Sequence, residues 1–398
     1  MMKCRYFVFL AFGSLCACGD STAPATSDRQ HWLTVSAGVY HSCGVTVDGS
    51  AYCWGLNPSG ALGATDSVRA SVRPVPVATD LSFTTVRVGG AISCGLTVAG
   101  RAYCWGAGFY GALGNGSEKS SASPVAVAGD HVFSQISVGF EHVCALTPAG
   151  EAFCWGLNQS GPLGDGTEER RSVPTQVSAS VPFKSVSAGN LQTCAIGVDD
   201  KAYCWGASSY GEGGNACDTV PCGWLTPRAV SGEVGFVSIS AGNTFTCAIS
   251  TAAEAWCWGA LPLPWYDGLS ALGVLGNGAL GGSAVPVKVV GNHRFTQVVA
   301  GTRSACAIAE GGDAFCWGAN TSGELGIGSY DGRGHPTPTP VSGGIKFSEV
   351  TVGDTACGLD LEGVAYCWAT VIGEPDASGG ILIQGVTTRP RLLPNPLK

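Results

Sequence analysis

"CGVTVDGSAYCWG", from Cys43 to Gly55, decides the fold. Two cysteines stand ten residues apart, Asp48-Gly49 lies midway, and Trp54-Gly55 follows at the end. The arrangement returns six more times, as "CGLTVAGRAYCWG" from Cys94, "CALTPAGEAFCWG" from Cys144 and "CAIGVDDKAYCWG" from Cys194. Then follow "CAISTAAEAWCWG" from Cys247, "CAIAEGGDAFCWG" from Cys306 and "CGLDLEGVAYCWA" from Cys357. Between second cysteines the steps are 51, 50, 50, 53, 59 and 51 residues. A fixed period near fifty marks a repeat architecture.

One unit runs "WLTVSAGVYHSCGVTVDGSAYCWGLNPSGALGATDSVRASVRPVPV" from Trp32. "WLTVSAG" alternates as a short strand, "SCGVTV" is a second, Asp48-Gly49 a turn and "AYCWG" a third. "RPVPV" suits a fourth strand at an edge, because proline cannot donate to a ladder. Four short strands per unit with no helix between them predict a propeller blade. Seven units predict an all-β, seven-bladed β-propeller of four-stranded antiparallel blades.

A hairpin centred near Asp48 sets Cys43 opposite Cys53, roughly 4.5–5.5 Å apart at Cα and within disulfide range. The same spacing pairs Cys94 with Cys104, Cys144 with Cys154, Cys194 with Cys204, Cys247 with Cys257, Cys306 with Cys316 and Cys357 with Cys367. Cys217 and Cys222, close together in "ACDTVPC", make an eighth pair. Each repeat bridge closes a short loop, worth up to about 2.5–3 kcal/mol on the chain-entropy model. Redox-active and zinc sites favour CxxC spacing, which is absent, so the bridges read as staples. The repeated tryptophans read as blade-to-blade packing. The "NxxGxLG" stretches, as in "NPSGALG" from Asn57, read as glycine-rich turns.

The pattern "AGxxHxC…GxxYCWGxNxxGxLG" resembles the regulator of chromosome condensation repeat family. "VSAGVYHSCGVTVDGSAYCWGLNPSGALG", Val35 to Gly63, carries the likeness best, and "VGFEHVCALTPAGEAFCWGLNQSGPLGDG" from Val138 follows. The resemblance implies a seven-bladed propeller that acts through protein surfaces. Paired cysteines depart from the family's nuclear members and fit an exported version. The last unit departs as well, since "CWATVIGEPDASGG" lacks both the glycine after Trp368 and the "NxxGxLG" turn.

The 19 cysteines point to an oxidising compartment. The chain start agrees: "MMKCR" is basic, "YFVFLAFGSL" is apolar but short for a membrane span, and small residues follow. "LCAC", Leu15 to Cys18, resembles the bacterial lipobox, which implies lipid attachment at Cys18. The expected division is a lipoprotein signal peptide (1–17), a flexible tether (18–30) and the propeller (31–398). Its repeats lie at about 32–81, 82–132, 133–182, 183–235, 236–294, 295–346 and 347–398. The expected location is the cell envelope, lipid-anchored on the periplasmic or surface side, with the lipid as the only membrane contact.

Charged residues are 13% of the chain, Gly numbers 60 and the formal charge is −8. Nothing resembles a basic footprint, so nucleic acid is not an expected partner. No GxSxG, HExxH or P-loop occurs, and the six histidines share no one repeat position. No catalytic residue, metal or cofactor is therefore assigned. The variable first connections, such as "VYHS" at Val39–Ser42 and "FEHV" at Phe140–Val143, point to a working face. Tyr40, His41, Phe140 and His142 are expected to ring it. Two insertions in neighbouring blades, "ACDTVPCGWL" and "ALPLPWYDGLSALG", should bring Trp224, Trp265 and Tyr266 to the same face. The expected function is a monomeric module binding a protein or an envelope polymer. An envelope hydrolase or lyase at the propeller mouth, and a surface spacer without a specific partner, remain open.

Overall fold

A computed structural model describes residues 30–64, 68–217, 222–262, 272–369, 371–375 and 381–395. Each repeat folds into one four-stranded antiparallel sheet, and seven such sheets form the propeller. Blade 1 comprises Trp32–Ala37, His41–Thr46, Ala51–Leu56 and Ala70–Pro76, hydrogen-bonded in that order from the central bore outward. Blades 2 to 6 repeat the order. Blade 7 comprises Phe347–Val352, Ala356–Asp360, Ala365–Trp368 and Arg391–Leu392, with an extra hairpin of Val371–Pro375 and Ile381–Val386 before its outer strand. Every blade takes its four strands from one repeat, so the ring closes without exchanging a strand.

The hairpin register fixes the bridges. The Thr46 N–H donates to the Ser50 carbonyl at 2.9 Å, which makes that pair hydrogen-bonded. Such pairs alternate along a ladder, so Cys43 opposite Cys53 falls on a narrow, non-hydrogen-bonded site. The seven repeat bridges accordingly span 4.0–4.1 Å between Cα atoms, tighter than the expected separation. Cys217 and Cys222 pair as well, at 6.3 Å.

The hydrophobic core lies between blades. Cys43, Val45 and Cys53 of blade 1 pack against Phe83, Val86 and Trp105 of blade 2, all buried. The third-strand tryptophan does more than fill this space. The Trp105 indole N–H donates to the Ala61 carbonyl, in the "GALG" turn of the preceding blade, at 3.0 Å. Trp155, Trp205, Trp258, Trp317 and Trp368 donate likewise to Ala112, Pro162, Glu212, Val274 and Glu324, at 2.9–3.1 Å. The "CWG" and "GxLG" stretches are thus two halves of one joint. Asn57 holds its turn by accepting the Leu62 N–H at 2.7 Å, and Asn158 does the same for Leu163 at 3.0 Å. Blade 7 lacks that turn, and the Trp54 indole of blade 1 has no hydrogen-bond partner among the described residues.

At the opposite end of each seam, a residue at or just before the start of an inner strand docks on the preceding hairpin turn. Phe83 N–H donates to Gly49, Phe133 to Gly100, Phe183 to Gly150, Phe236 to Asp200, Phe295 to Ala253 and Phe347 to Gly312, at 2.7–2.9 Å. Trp32 completes the circle by donating to Gly363 of blade 7 at 2.8 Å.

Candidate interaction face

Antiparallel order sends the first and third connections of every blade to one face, here the upper. The second connections and the interblade links lie on the lower face. His31 bridges to Val364 beside a lower-face turn, and Gln30 N–H donates to Asn395 Oδ1 at 3.3 Å. Both described chain ends therefore leave from the lower face.

The upper mouth of the bore is built from seven glycines that follow the inner strands: Gly38, Gly89, Gly139, Gly189, Gly242, Gly301 and Gly353. Val39 N–H donates to the Gly89 carbonyl, Gly90 to Gly139, Phe140 to Gly189, Asn190 to Gly242, Asn243 to Gly301 and Asp354 to Gly38, at 3.0–3.2 Å. A Cβ on Gly89 would sit 1.8 Å from the Gly139 oxygen, and one on Gly38 would sit 2.4 Å from that of Gly89. Only glycine lets neighbouring blades approach this closely. The ring is open at one place: Thr302 makes no such bond to Gly353, and a Cβ on Gly301 would lie 3.2 Å from the Gly353 oxygen.

Below the ring, inner-strand side chains seal the seams. Ser36 Oγ accepts the Val88 N–H at 3.1 Å, and Ser137, Ser187, Ser240 and Thr351 hydroxyls accept Ala188, Ala241, Ala300 and Ala37 at 2.9–3.0 Å. The equivalent residues in blades 2 and 6 are Arg87 and Val299, which offer no hydroxyl. Arg87 instead reaches back across the bore. Its Nη1 donates to Thr34 Oγ1 at 2.8 Å, and Nη2 lies 3.9 Å from Glu349 Oε1. Glu349 also accepts Thr34 Oγ1 at 3.1 Å and Val35 N–H at 3.4 Å. Burial raises the Glu349 carboxyl above its ordinary pKa, against the pull of Arg87. The bore encloses about 610 Å³.

At the rim, Tyr40 and Phe140 meet with ring centroids 6.4 Å apart, although they belong to blades 1 and 3. Gly90 of blade 2 passes between them, its missing Cβ only 2.5 Å from the Phe140 oxygen. Beside this pair runs a groove of about 850 Å³, with Tyr40, Leu56, Pro58 and Arg69 on one side and Ser120–Ala122 on the other. The third connection of blade 2 adds Phe109 and Tyr110, exposed by 59% and 37%.

Other expected face residues lie elsewhere. His41 and His142 begin the second strands, two positions inside the expected loop, and are buried. The expectation that they ring an exposed face is therefore corrected: each faces the next blade. His41 Nε2 lies 2.6 Å from Ser93 Oγ, and His142 Nε2 2.8 Å from Thr193 Oγ1. Those hydroxyls donate in turn to the Ala61 and Pro162 carbonyls at 2.8 Å. Burial lowers the pKa of both histidines to about 4. Trp224 belongs to the outer strand Gly223–Ala229 rather than to a protruding insertion. Its ring covers Gly213, where a Cβ would approach Cζ3 to 2.4 Å, and the Arg228 guanidinium stacks 5.0 Å from its centroid. Trp265, Tyr266 and Cys18 lie outside the described residues.

The lower face has a different chemistry. Arg101–Asp130, Lys288–Glu254, Arg294–Glu310 and Lys346–Asp313 pair there at 2.6–3.1 Å, and Lys184 pairs with Asp200. Exposed pairs of this kind add little stability, but they leave few charges free. On the upper face Arg170 pairs with Glu118 at 2.8 Å, whereas Arg69 and Lys119 have no ionic partner among the described residues. No group of three or more His, Cys, Asp or Glu side chains able to hold a metal occurs among the described residues.

Comparison with known proteins follows the same architecture. The family model described as the RCC1-like domain matches residues 10–368. The mitochondrial RCC1 domain-containing protein RUG3 of Arabidopsis thaliana is 31% identical over 149 residues, 36% of this chain and 33% of its own length. The human E3 ubiquitin-protein ligase HERC2 is 29% identical over 38% of this chain and 3% of its own length. The matched regions thus span a third or less of those relatives. Among solved structures, Prp20p of Saccharomyces cerevisiae superposes with a TM-score of 0.69 at 21% identity, covering 80% of each chain. Human WBSCR16 gives 0.69 at 22% identity, covering 81% of this chain and 85% of its own. The repeat, its seven blades and this match together place the chain in the RCC1-like domain family.

Proposed function

We propose that this protein is an exported, lipid-anchored propeller that binds a protein partner through its upper face. The observation that carries the reading is the division between the faces. Both described chain ends leave below, so a tether on Cys18 would present the upper face outward. That upper face holds the exposed aromatic rim and all the lengthened connections. Eight cysteine pairs fit an oxidising compartment. The structural relative Prp20p, described with binding properties to Gsp1p and histones, supports protein binding as the use of such a face.

The test uses the mature propeller immobilised through its N-terminus and exposed to native envelope extract. A discrete protein retained by the wild type and lost on Tyr40→Ala plus Phe140→Ala, with unfolding unchanged, is the expected result. Equal retention by both forms would refute the upper face. The anchor is tested separately. Cys18→Ala should move the protein out of the detergent phase while the propeller still folds, and identical partitioning of both forms would refute lipidation.

A further inference from the structure

We infer that the groove beside Tyr40 receives an acidic peptide segment carrying a bulky apolar side chain, contributed by the protein partner. The inference rests on the reading of the upper face as a protein-binding surface and names what part of the partner it takes. The groove lies between the third connections of blades 1 and 2. One wall is the turn Pro58–Gly60, which leans on Ala122, where a Cβ on Gly60 would approach to 2.7 Å. The other wall is the start of the blade 2 outer strand, Ser120–Ala122.

The groove has an apolar side with few apolar contacts of its own. Tyr40 is 40% exposed and Leu56 50%. An exposed cluster of this kind, rimmed by polar residues, marks an interaction site. Arg69 lines the groove, and Lys119 immediately precedes its far wall. Neither has an ionic partner among the described residues, in a chain whose formal charge is −8 and in which five lower-face cations are paired. Among the described residues the groove's unpaired charge is positive on a negative molecule, so the complementary ligand is acidic. Glu118, beside Lys119, is already engaged by Arg170, and Asp66, three residues before Arg69, lies outside the described residues. A uniformly charged polysaccharide would satisfy the two cations and offer nothing apolar to the exposed faces of Tyr40 and Leu56. A peptide supplies both.

The experiment selects a phage-displayed random peptide library on the wild-type propeller and on Arg69→Glu/Lys119→Glu. Wild type should enrich segments that join Asp or Glu to an aromatic or branched apolar residue. The charge-reversed variant should enrich Lys or Arg instead. Synthetic copies of the wild-type winners should bind the reversed variant at least about tenfold more weakly. Tyr40→Ala should weaken them about thirty-fold, with equal urea midpoints for all variants. Affinity should fall as salt rises. Winners without acid enrichment, or unaffected by these substitutions, would overturn the inference while leaving upper-face binding intact. Binding of heparin in preference to every selected peptide would overturn it in favour of an anionic polymer. Failure to select any upper-face binder would remove both readings.

Discussion

Two neighbouring seams hold blade 7 by opposite means. At the seam between blades 6 and 7 the outer joint is complete, since Trp368 donates to Glu324 and Gly328 N–H donates to Thr388 at 2.7 Å. Its inner edge is thinner: Gln297 Oε1 accepts the Val350 N–H at 2.9 Å, but Val299 offers no hydroxyl and the glycine ring is open at Thr302. At the seam between blades 7 and 1 the tryptophan joint is missing: the Trp54 indole meets no carbonyl among the described residues, although the hairpin strand Val371–Pro375 lies against the outer strand Ala70–Pro76. Its inner edge is the richest in the ring. Glu349, Thr351 and Asp354 all bond blade 1, Arg87 reaches in from blade 2, and Ser42 Oγ meets Thr355 Oγ1 at 3.2 Å. Losing the turn from the last repeat removes one anchor, and the bore supplies another. Closure without strand exchange therefore depends on side chains rather than on a shared ladder.

The largest effect should come from Trp32, which closes the circle. It packs edge-on against Tyr52 and Trp54 at 5.9 and 5.8 Å, and its N–H docks on Gly363. Trp32→Ala should cost about 3–5 kcal/mol, as large aromatic truncations in cores do. Phe347→Ala makes the matching deletion at the other seam, where Trp368 still anchors the outer joint. It should cost less. Urea unfolding with disulfides intact measures both. A Trp32→Ala loss no larger than that of Phe347→Ala would show that the closing seam has no special dependence on this residue.

Seams 1–2 and 3–4 carry the buried histidines His41 and His142. In the folded state both titrate near 4, against 6.5 when free. The unfolded chain therefore binds protons first as pH falls. Stability is fully present above about 6.5 and is lost on descending toward 4, by about 3 kcal/mol per histidine. Glu212 at seam 4–5 has the opposite sign. Burial raises its pKa from 4.5 to about 7, so its contribution is greatest below 4.5 and declines as pH rises to 7. Blade 4 already holds the substitute: Gln192 occupies the His142 position and donates to the Gly242 carbonyl at 2.9 Å. His142→Gln should lower the acid midpoint measured by circular dichroism, and His41→Gln should lower it further. An unchanged acid midpoint in the double variant would place the acid-sensitive groups elsewhere.

The sequence made the blades legible because each repeat carries its own hairpin, cysteine pair and tryptophan. Periodicity averages over local ambiguity. The same averaging hid the face. His41 and His142 vary between repeats, and variation in a repeat suggests exposure. The varying position instead opens the second strand and is filled to suit each seam, by Ile92, Gln192, Phe245 or Ser304 in other blades. Trp224 looked like an insertion because the outer strands repeat weakly. It is part of one. Tyr40 and Phe140 lie on the upper face, yet their contact across blade 2 depends on the small Gly89-Gly90 pair between them. The serine hydroxyls of "SVSAG" were visible without a signal, since bonding to the next blade leaves no local pattern.

The smallest effect tests the open place in the ring. Val299 is half-buried at the bore, and the Val352 N–H facing it lacks the hydroxyl that other seams provide. Thr351 shows that threonine fits this position, accepting the Ala37 N–H at 3.0 Å. Val299→Thr exchanges one methyl for a hydroxyl of similar shape. The new bond should contribute about 0.5–1.5 kcal/mol, less the apolar burial lost with the methyl. A net gain of about 0.5 kcal/mol is expected, with slower hydrogen exchange at Val352. The reciprocal Thr351→Val removes an acceptor from the closing seam and should cost about 1 kcal/mol or more, because it leaves the Ala37 N–H unpaired. Equal and opposite changes would mean that the two inner edges are interchangeable. A larger loss at Thr351 than gain at Val299 would show that the closing seam, without its tryptophan joint, depends more on its bore.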